Sequence, residues 1–245
     1  MTIENEIMDT VQWLREQVGE AGARGLVVGL SGGIDSSVVA FLIKRAFPEN
    51  ALGVIMPIHS DPRDAREALA LVEACDIPYR VVDLSGVHLE VKNLVMKDLG
   101  SGVNERNADA NLRARLRMSA LYTYANALNY LVVGTDNAAE LYTGYFTKYG
   151  DGGVDLLPIA NLGKGEVYEW GRYFGVPESI LQRDPTAGLW EGQTDEKEMG
   201  VTYLDIDRYL KGQSIDEKSQ AVIEKLHRVS AHKRTMPPIP QRHIK

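Results

Sequence analysis

The sequence predicts an α/β protein: three layers, with an open, mostly parallel twisted sheet flanked by helices, in a single domain over residues 1–245. Two observations predict it. Short apolar runs at 26–30, 51–56, 79–84 and 130–135 alternate with helix-length segments. Strands that are apolar on both faces belong to sheets covered on both sides, with crossover helices between them. Size and composition agree. A chain of 245 residues, 44% hydrophobic and 25% charged, suits a soluble domain that buries a core without disulfide or metal staples.

The elements follow in order. Residues 3–18 place Ile3, Ile7, Val11, Leu14 and Val18 three or four apart, a helical stripe suited to the core or to a partner. LVVGL at 26–30 reads as a buried strand. SVVAFLIKRAF at 37–47 reads as a helix stopped by Pro48, and ALGVIM at 51–56 as a strand stopped by Pro57. A helix over 63–75 leads to a third strand at 79–84. A helix over about 86–98, a loop at Ser101 and Gly102, and a long helix over 107–129 precede a fourth strand at 130–135. After 136 the pattern changes. Residues 143–158 (TGYFTKYGDGGVDLLP) and 184–200 (DPTAGLWEGQTDEKEMG) are long polar, Gly-containing loops, and loops of that length in a compact domain point to function. Helices near 164–174, 202–211 and 216–229 complete the chain, and PPIPQRHIK at its end is expected to be extended and loosely held.

Charge and cysteine content exclude several classes. Lys plus Arg total 27 and Asp plus Glu 34, for a net charge of −7. With a pI near 5.3 this is not the basic profile of a nucleic-acid binder. No apolar run approaches the ~18 residues a membrane span needs, and the acidic N-terminus lacks a signal-peptide pattern. One cysteine, Cys75, rules out an internal disulfide and any multi-cysteine site, so a reducing cytoplasm is expected. Cys75 ends an apolar helix and reads as core. Trp13, Trp170 and Trp190 read as packing anchors. His59, His88, His227 and His243 show no metal-ligand spacing, and the 195–199 run DEKEM reads as a solvated loop or helix start.

The informative string is GLSGGIDSS at 29–37, between a strand and a helix that is expected to begin near Ser36. It lacks the Gly-Lys-Ser/Thr of a Walker A loop and the glycine spacing of a dinucleotide fingerprint. Its residue types still suit phosphate. Gly32 and Gly33 permit close backbone approach, Ser31, Ser36 and Ser37 supply hydroxyls, and the helix end is positive. Asp35 would repel phosphate unless a divalent cation lay between them, and its hard oxygens suit Mg²⁺.

Ser31-Gly32-Gly33-Ile34-Asp35-Ser36 resembles the SGGxDS loop of the N-type ATP pyrophosphatases, a Rossmann-like superfamily that cuts ATP between the α- and β-phosphates to adenylate a substrate. NLRARLRM at 111–118, GTDNAAELYTGYFTKYGDGGVDLLP at 134–158, DPTAGLW at 184–190 and AHKR at 231–234 are similar, in order and spacing, to strings of the ammonia-dependent NAD synthetase family. The resemblance spans about residues 3–236. It implies ATP-dependent amidation of nicotinate adenine dinucleotide (deamido-NAD) to NAD through an adenylate, releasing AMP and pyrophosphate.

It also implies roles residue by residue. ATP would lie against Gly29, Leu30, Ser31, Gly32, Gly33, Ile34, Asp35 and Ser36, with Thr135, Lys164 and Thr186. Asp35 and Glu140 would hold Mg²⁺ and, with Lys164, carry catalysis by neutralising pyrophosphate charge. Arg115, Lys148, Asp155, His232 and Lys233 would contact the dinucleotide. Of the three alternating arginines, Arg113 and Arg117 share a helix face and Arg115 points away. Arg113 and Arg117 are left to solvent or a second subunit. Asp155 is a candidate base for ammonium by charge alone. The resemblance further implies a homodimer with helices near the N-terminus and at 107–129 in its interface, though the first helix begins closer to Met1 than expected for the family. Glutamine use would need an activated nucleophile and a further domain that this chain does not show. The glycine loop alone leaves open another adenylating amidotransferase synthetase, such as the synthetase subunit for GMP, and a nucleotide-binding sensor without chemistry. The 134–158 and 231–234 strings favour NAD synthetase.

Overall fold

The computed structural model describes residues 2–97, 99, 103–186 and 194–240. The chain opens with α1 (Ile3–Glu20), β1 (Gly25–Gly29), α2 (Ile34–Ala46), β2 (Ala51–Ile55), α3 (Pro62–Cys75) and β3 (Tyr79–Val81). It continues through α4 (Ser85–Met96), α5 (Glu105–Leu128), β4 (Tyr130–Val133) and α6 (Ala138–Thr143). It closes with α7 (Lys164–Phe174), α8 (Glu178–Leu181), α9 (Asp195–Met199), α10 (Tyr203–Leu210), α11 (Glu217–Val229) and a 3₁₀ turn at Ala231–Lys233.

The four strands form one parallel sheet in the order β3-β2-β1-β4. The chain builds outward from β1 to β2 and β3, then returns through α4 and α5 to the free side of β1. The direction in which strands are added therefore reverses between β1 and β4, although all strands stay parallel. In open α/β sheets, ligands sit outside the carboxyl ends of the strands at such a point.

Strand residues alternate between two cores, as period-2 geometry requires. Leu26, Val28, Ala51, Ile55 and Val133 face a core shared with α1, α2, α3, α7 and α8. Val27, Leu52, Val54, Met56 and Val132 face Leu121 and Ala125 of α5. A third core joins α6, α9, α10 and α11 through Ala139, Met199, Tyr203, Ile206 and Ile223. The α1 stripe Ile7, Val11, Leu14 and Val18 is buried against the first core and is not left for a partner. Cys75 and Trp170 are core as expected, whereas Trp13 is 36% exposed and anchors little. Trp190, His243, and the Ser101 and Gly102 loop lie outside the described residues.

Most predicted elements recur with shifted ends. The third strand covers 79–81 and not 79–84, although Val82 and Leu84 still donate to Ile55 and Pro57 carbonyls. The helix after the glycine loop begins at Ile34, two residues before the expected start, because Gly33 in extended backbone serves as its N-cap. Short α6 and α8 add to the predicted elements, and α9 takes the helix-start alternative for 195–199. No described helix is long and apolar enough to cross a membrane.

Between α4 and α5 lies a buried polar cluster. His88, 2% exposed, brings Nε2 to 3.2 Å from Asp109 Oδ1. Asp109 also meets Lys92 at 2.9 Å and Arg113 at 2.7 Å, and the His59 ring packs edge-on against His88 at 5.4 Å. Arg113 is thus part of this cluster. Burial pulls the His88 pKa below its ordinary 6.5; Asp109 opposes that and the neighbouring cations reinforce it. Folded His88 is neutral where the unfolded chain already binds a proton. Its stabilisation is full above pH 6.5 and is lost as pH falls toward the depressed folded value. The urea midpoint of the wild type should therefore fall between about pH 7 and 5 more than that of His88→Gln. Parallel pH dependence in urea titrations of the two proteins would refute this.

Candidate active site

A cavity of about 930 Å³ opens at the carboxyl edge of β1 and β4. One wall is the glycine loop. Gly32 sits at φ +79°, and a Cβ there would stand 2.7 Å from the Asp64 carbonyl of α3. Only glycine both adopts that backbone and lets the loop pack so closely. Gly32 itself does not line the cavity; Gly29, Leu30, Ser31, Gly33, Ile34, Asp35 and Ser36 do. The hydroxyls are partly committed. Ser36 and Ser37 donate to the Gly33 carbonyl at 3.0 and 2.8 Å, and Ser31 Oγ accepts from the Gly33 N–H at 3.2 Å. The first turn of α2 has no side-chain cap, so its N–H groups form the positive end expected of an anion site.

The charged centre comes from three elements. Lys164, the first residue of α7, is 4% exposed. Its Nζ donates to Asp35 Oδ2 at 2.5 Å and stands 3.6 Å from Glu140 Oε1. Burial pulls the Lys164 ammonium down, but Asp35, Glu140 and Asp195 outweigh it and hold the pKa above the ordinary value. Burial pushes Glu140 up to about 7, with Lys164 pulling against it.

Asn137, fully buried, ties the acids together. Its Nδ2 donates to Asp35 Oδ1 at 2.9 Å, and its Oδ1 accepts from the Glu140 N–H at 3.1 Å. Glu140 Oε2 returns the bond to the Asn137 N–H at 3.1 Å, closing a capping box on α6. Glu140 is therefore a helix-start acid and a cavity wall at once. The cation at the start of α7 is tolerated because Asp207 of α10 accepts from the Lys164 and Gly165 N–H groups at 3.0 and 2.9 Å.

Thr135 and Thr186 also line the cavity, as does Lys233. Lys233 turns inward and donates to the Gly144 and Phe146 carbonyls at 2.7 and 2.6 Å. Among the described lining residues, Arg115, Lys148, Asp155 and His232 are not found. Arg115 is exposed and donates to the Lys148 carbonyl at 3.4 Å, and Lys148 Nζ donates to the His232 carbonyl at 2.5 Å. These three form a rim beyond the cavity. Asp155 accepts from Tyr122 OH and the Val132 N–H, which ties it to β4 and α5 and not to a cavity-borne amine. Arg117, left to solvent or a partner by the sequence, instead lines the cavity and donates to the Met56 carbonyl at 3.0 Å.

Sequence reasoning missed four residues, Asp136 and Asp195 on the cavity wall and Asn137 and Tyr203 behind it. Asn137 had a signal, since Asn-x-x-Glu is a capping-box pattern. Asp136, 4% exposed, lines the cavity with an Oδ2 that has no hydrogen-bond partner among the described residues. Asp195 and Tyr203 are buried; the 195–199 run is the helix start the sequence allowed, with Asp195 and Met199 packed inward and residues 196–198 exposed. Among the described residues, no group of three or more His, Cys, Asp or Glu is placed to hold a metal. Two carboxylates beside a phosphate loop remain, a donor set that suits Mg²⁺ when phosphates complete it.

The family model for NAD synthase matches residues 6–237. The chain belongs to the NAD synthase family. It is 62% identical over 244 residues to an NH(3)-dependent NAD(+) synthetase of Alkaliphilus oremlandii (strain OhILAs), covering 98% of each chain. Its fold matches an NMN synthetase from Francisella tularensis with a TM-score of 0.93 and 39% identity, over 98% of this chain and 99% of that one. It matches an NH3-dependent NAD synthetase from Campylobacter jejuni, in complex with nitrate, with a TM-score of 0.78 and 29% identity, over 98% and 100%. The cavity wall in this chain depends on the tight glycine loop. Gly32→Ala should destabilise the fold by about 1–3 kcal/mol, from left-handed strain and the Asp64 contact, and weaken ATP binding. Urea denaturation and an ATP titration check both, and unchanged values in the variant would contradict the assigned packing.

Proposed function

We propose that the chain is a ligase that converts deamido-NAD to NAD with ammonia, consuming ATP and releasing AMP and pyrophosphate. The observation that carries this reading is the buried Lys164 ammonium, held between Asp35 and Glu140 on the wall that also presents the open end of α2. A site that only binds nucleotide has no need of a cation fixed where leaving pyrophosphate gathers charge.

In this reading the glycine-loop N–H groups and the α2 terminus hold the ATP phosphates. Mg²⁺ fits Asp35 and Glu140, both oxygen donors on the cavity wall, and when bound there it supplies charge neutralisation on phosphate oxygens. The nicotinate carboxylate attacks the α-phosphorus. The bond to the bridging oxygen breaks, and pyrophosphate leaves against Lys164. Ammonia then attacks the acyl-adenylate carbonyl, AMP departs with the carbon–oxygen electron pair, and nitrogen gives up a proton as the amide forms. The chain contributes positioning and electrostatics and forms no covalent bond to substrate. Cys75 is not an amidase nucleophile, since burial pushes its thiol up to about 12.

A second reading places a nicotinate mononucleotide in the acceptor position. It is favoured by the rim location of Arg115, Lys148 and His232 and by the higher TM-score to the NMN synthetase. The proposal also includes a homodimer. Val81 of β3 and Leu94 and Val95 of α4 are each more than half exposed, an apolar surface beside α5 that suits a second copy. A cytoplasmic setting accords with the single buried thiol.

The deciding assay combines protein, ATP, Mg²⁺ and ammonium with the dinucleotide or the mononucleotide, and reads pyrophosphate and amide. Amide formed from the dinucleotide with ammonium and not glutamine is the expected result. Faster turnover of the mononucleotide would move the acceptor to the second reading. Equal rates with glutamine would overturn the nitrogen source. Asp35→Asn should cost on the order of 10²–10³ in rate, as for removal of one preorganised electrostatic contact, and an unaltered rate would remove its role. A monomer at micromolar concentration on a sizing column would remove the dimer.

A further inference from the structure

Glu140 and Lys164 are aimed by a residue outside every motif that marks the family in this sequence. Tyr203, the first residue of α10, is 4% exposed. Its hydroxyl lies 2.9 Å from Glu140 Oε1 and 3.1 Å from Asp195 Oδ2. Lys164 Nζ lies over its ring, 4.6 Å from the centroid. Its backbone N–H donates to Glu196 Oε1 at 2.9 Å, so both ends of the residue are tied to α9. Asp195 is held in turn by Tyr145 OH at 3.2 Å, and the same hydroxyl meets Glu198 at 2.7 Å.

The contacts form a line: Glu198, Tyr145, Asp195, Tyr203, Glu140. Lys164 and Asp35 continue it into the cavity. A packing role for Tyr203 needs its ring alone. The hydroxyl, placed between two acids from different elements, does something a ring does not. It fixes the rotation of the Glu140 carboxylate, whose other oxygen is already fixed by the Asn137 N–H. We propose that Tyr203 is a positioning residue for Glu140 and Lys164, and that Asp195 sets its hydroxyl. Asp195 also lines the cavity, and its N–H donates to the Pro185 carbonyl at 3.2 Å, so the line reaches the chain beside Thr186. The proposal rests on the ATP chemistry argued above.

The test uses the full chain as wild type, Tyr203→Phe, Asp195→Asn and the double variant. Tyr203→Phe keeps the ring and its packing, so a cooperative melting transition should persist, shifted by no more than about 2–4 °C. Its kcat should fall about tenfold or more, the scale of a misplaced catalytic group, with KM for ammonium unchanged. Mn²⁺ binding in the presence of ATP, read by the free-ion paramagnetic resonance signal, should weaken several-fold. Asp195→Asn should show the same pattern, and the double variant should lose little more than either single, since residues acting through one group are not additive. A Tyr203→Phe protein with wild-type kcat and Mn²⁺ binding overturns the proposal, as do losses that multiply in the double variant. A wild type that releases no pyrophosphate would remove the functional reading, and the Mn²⁺ measurement, which needs no turnover, would still decide the role of Tyr203.

Discussion

The buried Lys164 ammonium is the constraint around which the rest of the site is arranged. A charge removed from water costs several kcal/mol unless it is paired and hydrogen-bonded. Lys164 is paired twice, with Asp35 from α2 and Glu140 from α6. Both acids gain from it, since it stands 2.5 Å from Asp35 and 3.6 Å from Glu140 and offsets the burial of their charge. Three elements far apart in sequence are held together by this mutual need. The sheet makes it possible because β4 lies parallel beside β1 at the point where the strand order switches, which puts the loop before α2 beside the loop before α6.

A second layer of contacts surrounds that triad and explains its rigidity. Asn137 joins both carboxylates through one amide. Asp207 neutralises the helix end from which Lys164 projects. Both come from the C-terminal side of the sheet, where α6, α9, α10 and α11 share a core of their own. That small core has little to do with the sheet. Its physical contribution is to hold α10 against the starts of α6 and α7.

The parts that were legible in the sequence are those with a local signal. The apolar runs at 26–30 and 51–56 are strands because they are apolar on both faces. The glycine loop is recognisable because only glycine serves at Gly32. Asp35 and Glu140 stand in strings specific enough to be read in order, Lys164 was placed only as a single position the resemblance implies, and the structure brings all three together at the cavity. Arg117, Asp195 and Tyr203 were not legible, because their roles arise from tertiary contacts. Arg117 has the same alternating spacing as Arg115, and only the packing of α5 against β2 decides which of them meets the cavity. Asp195 sits in a run of charges that reads as solvated until α10 covers it. The α9 helix is five residues long, too short for periodicity to reveal.

Helix ends decide where an anion goes. α2, α6 and α7 all begin at the cavity, and each offers a positive end. At α6 the free N–H groups are taken by Asn137 and Glu140. At α7 they are taken by Asp207 and by Glu166, which accepts from the Gly163 N–H. Two of the three ends are therefore neutralised by carboxylates of the protein itself and would repel phosphate. Like α7, α2 begins at a glycine without a side-chain cap, but among the described residues no carboxylate accepts from its first N–H groups. In the proposed reaction the capping of the other two ends would direct phosphate to α2. Lys164, held by Asp35 and Glu140, stands on the same cavity wall as that end, where the proposed reaction would release pyrophosphate.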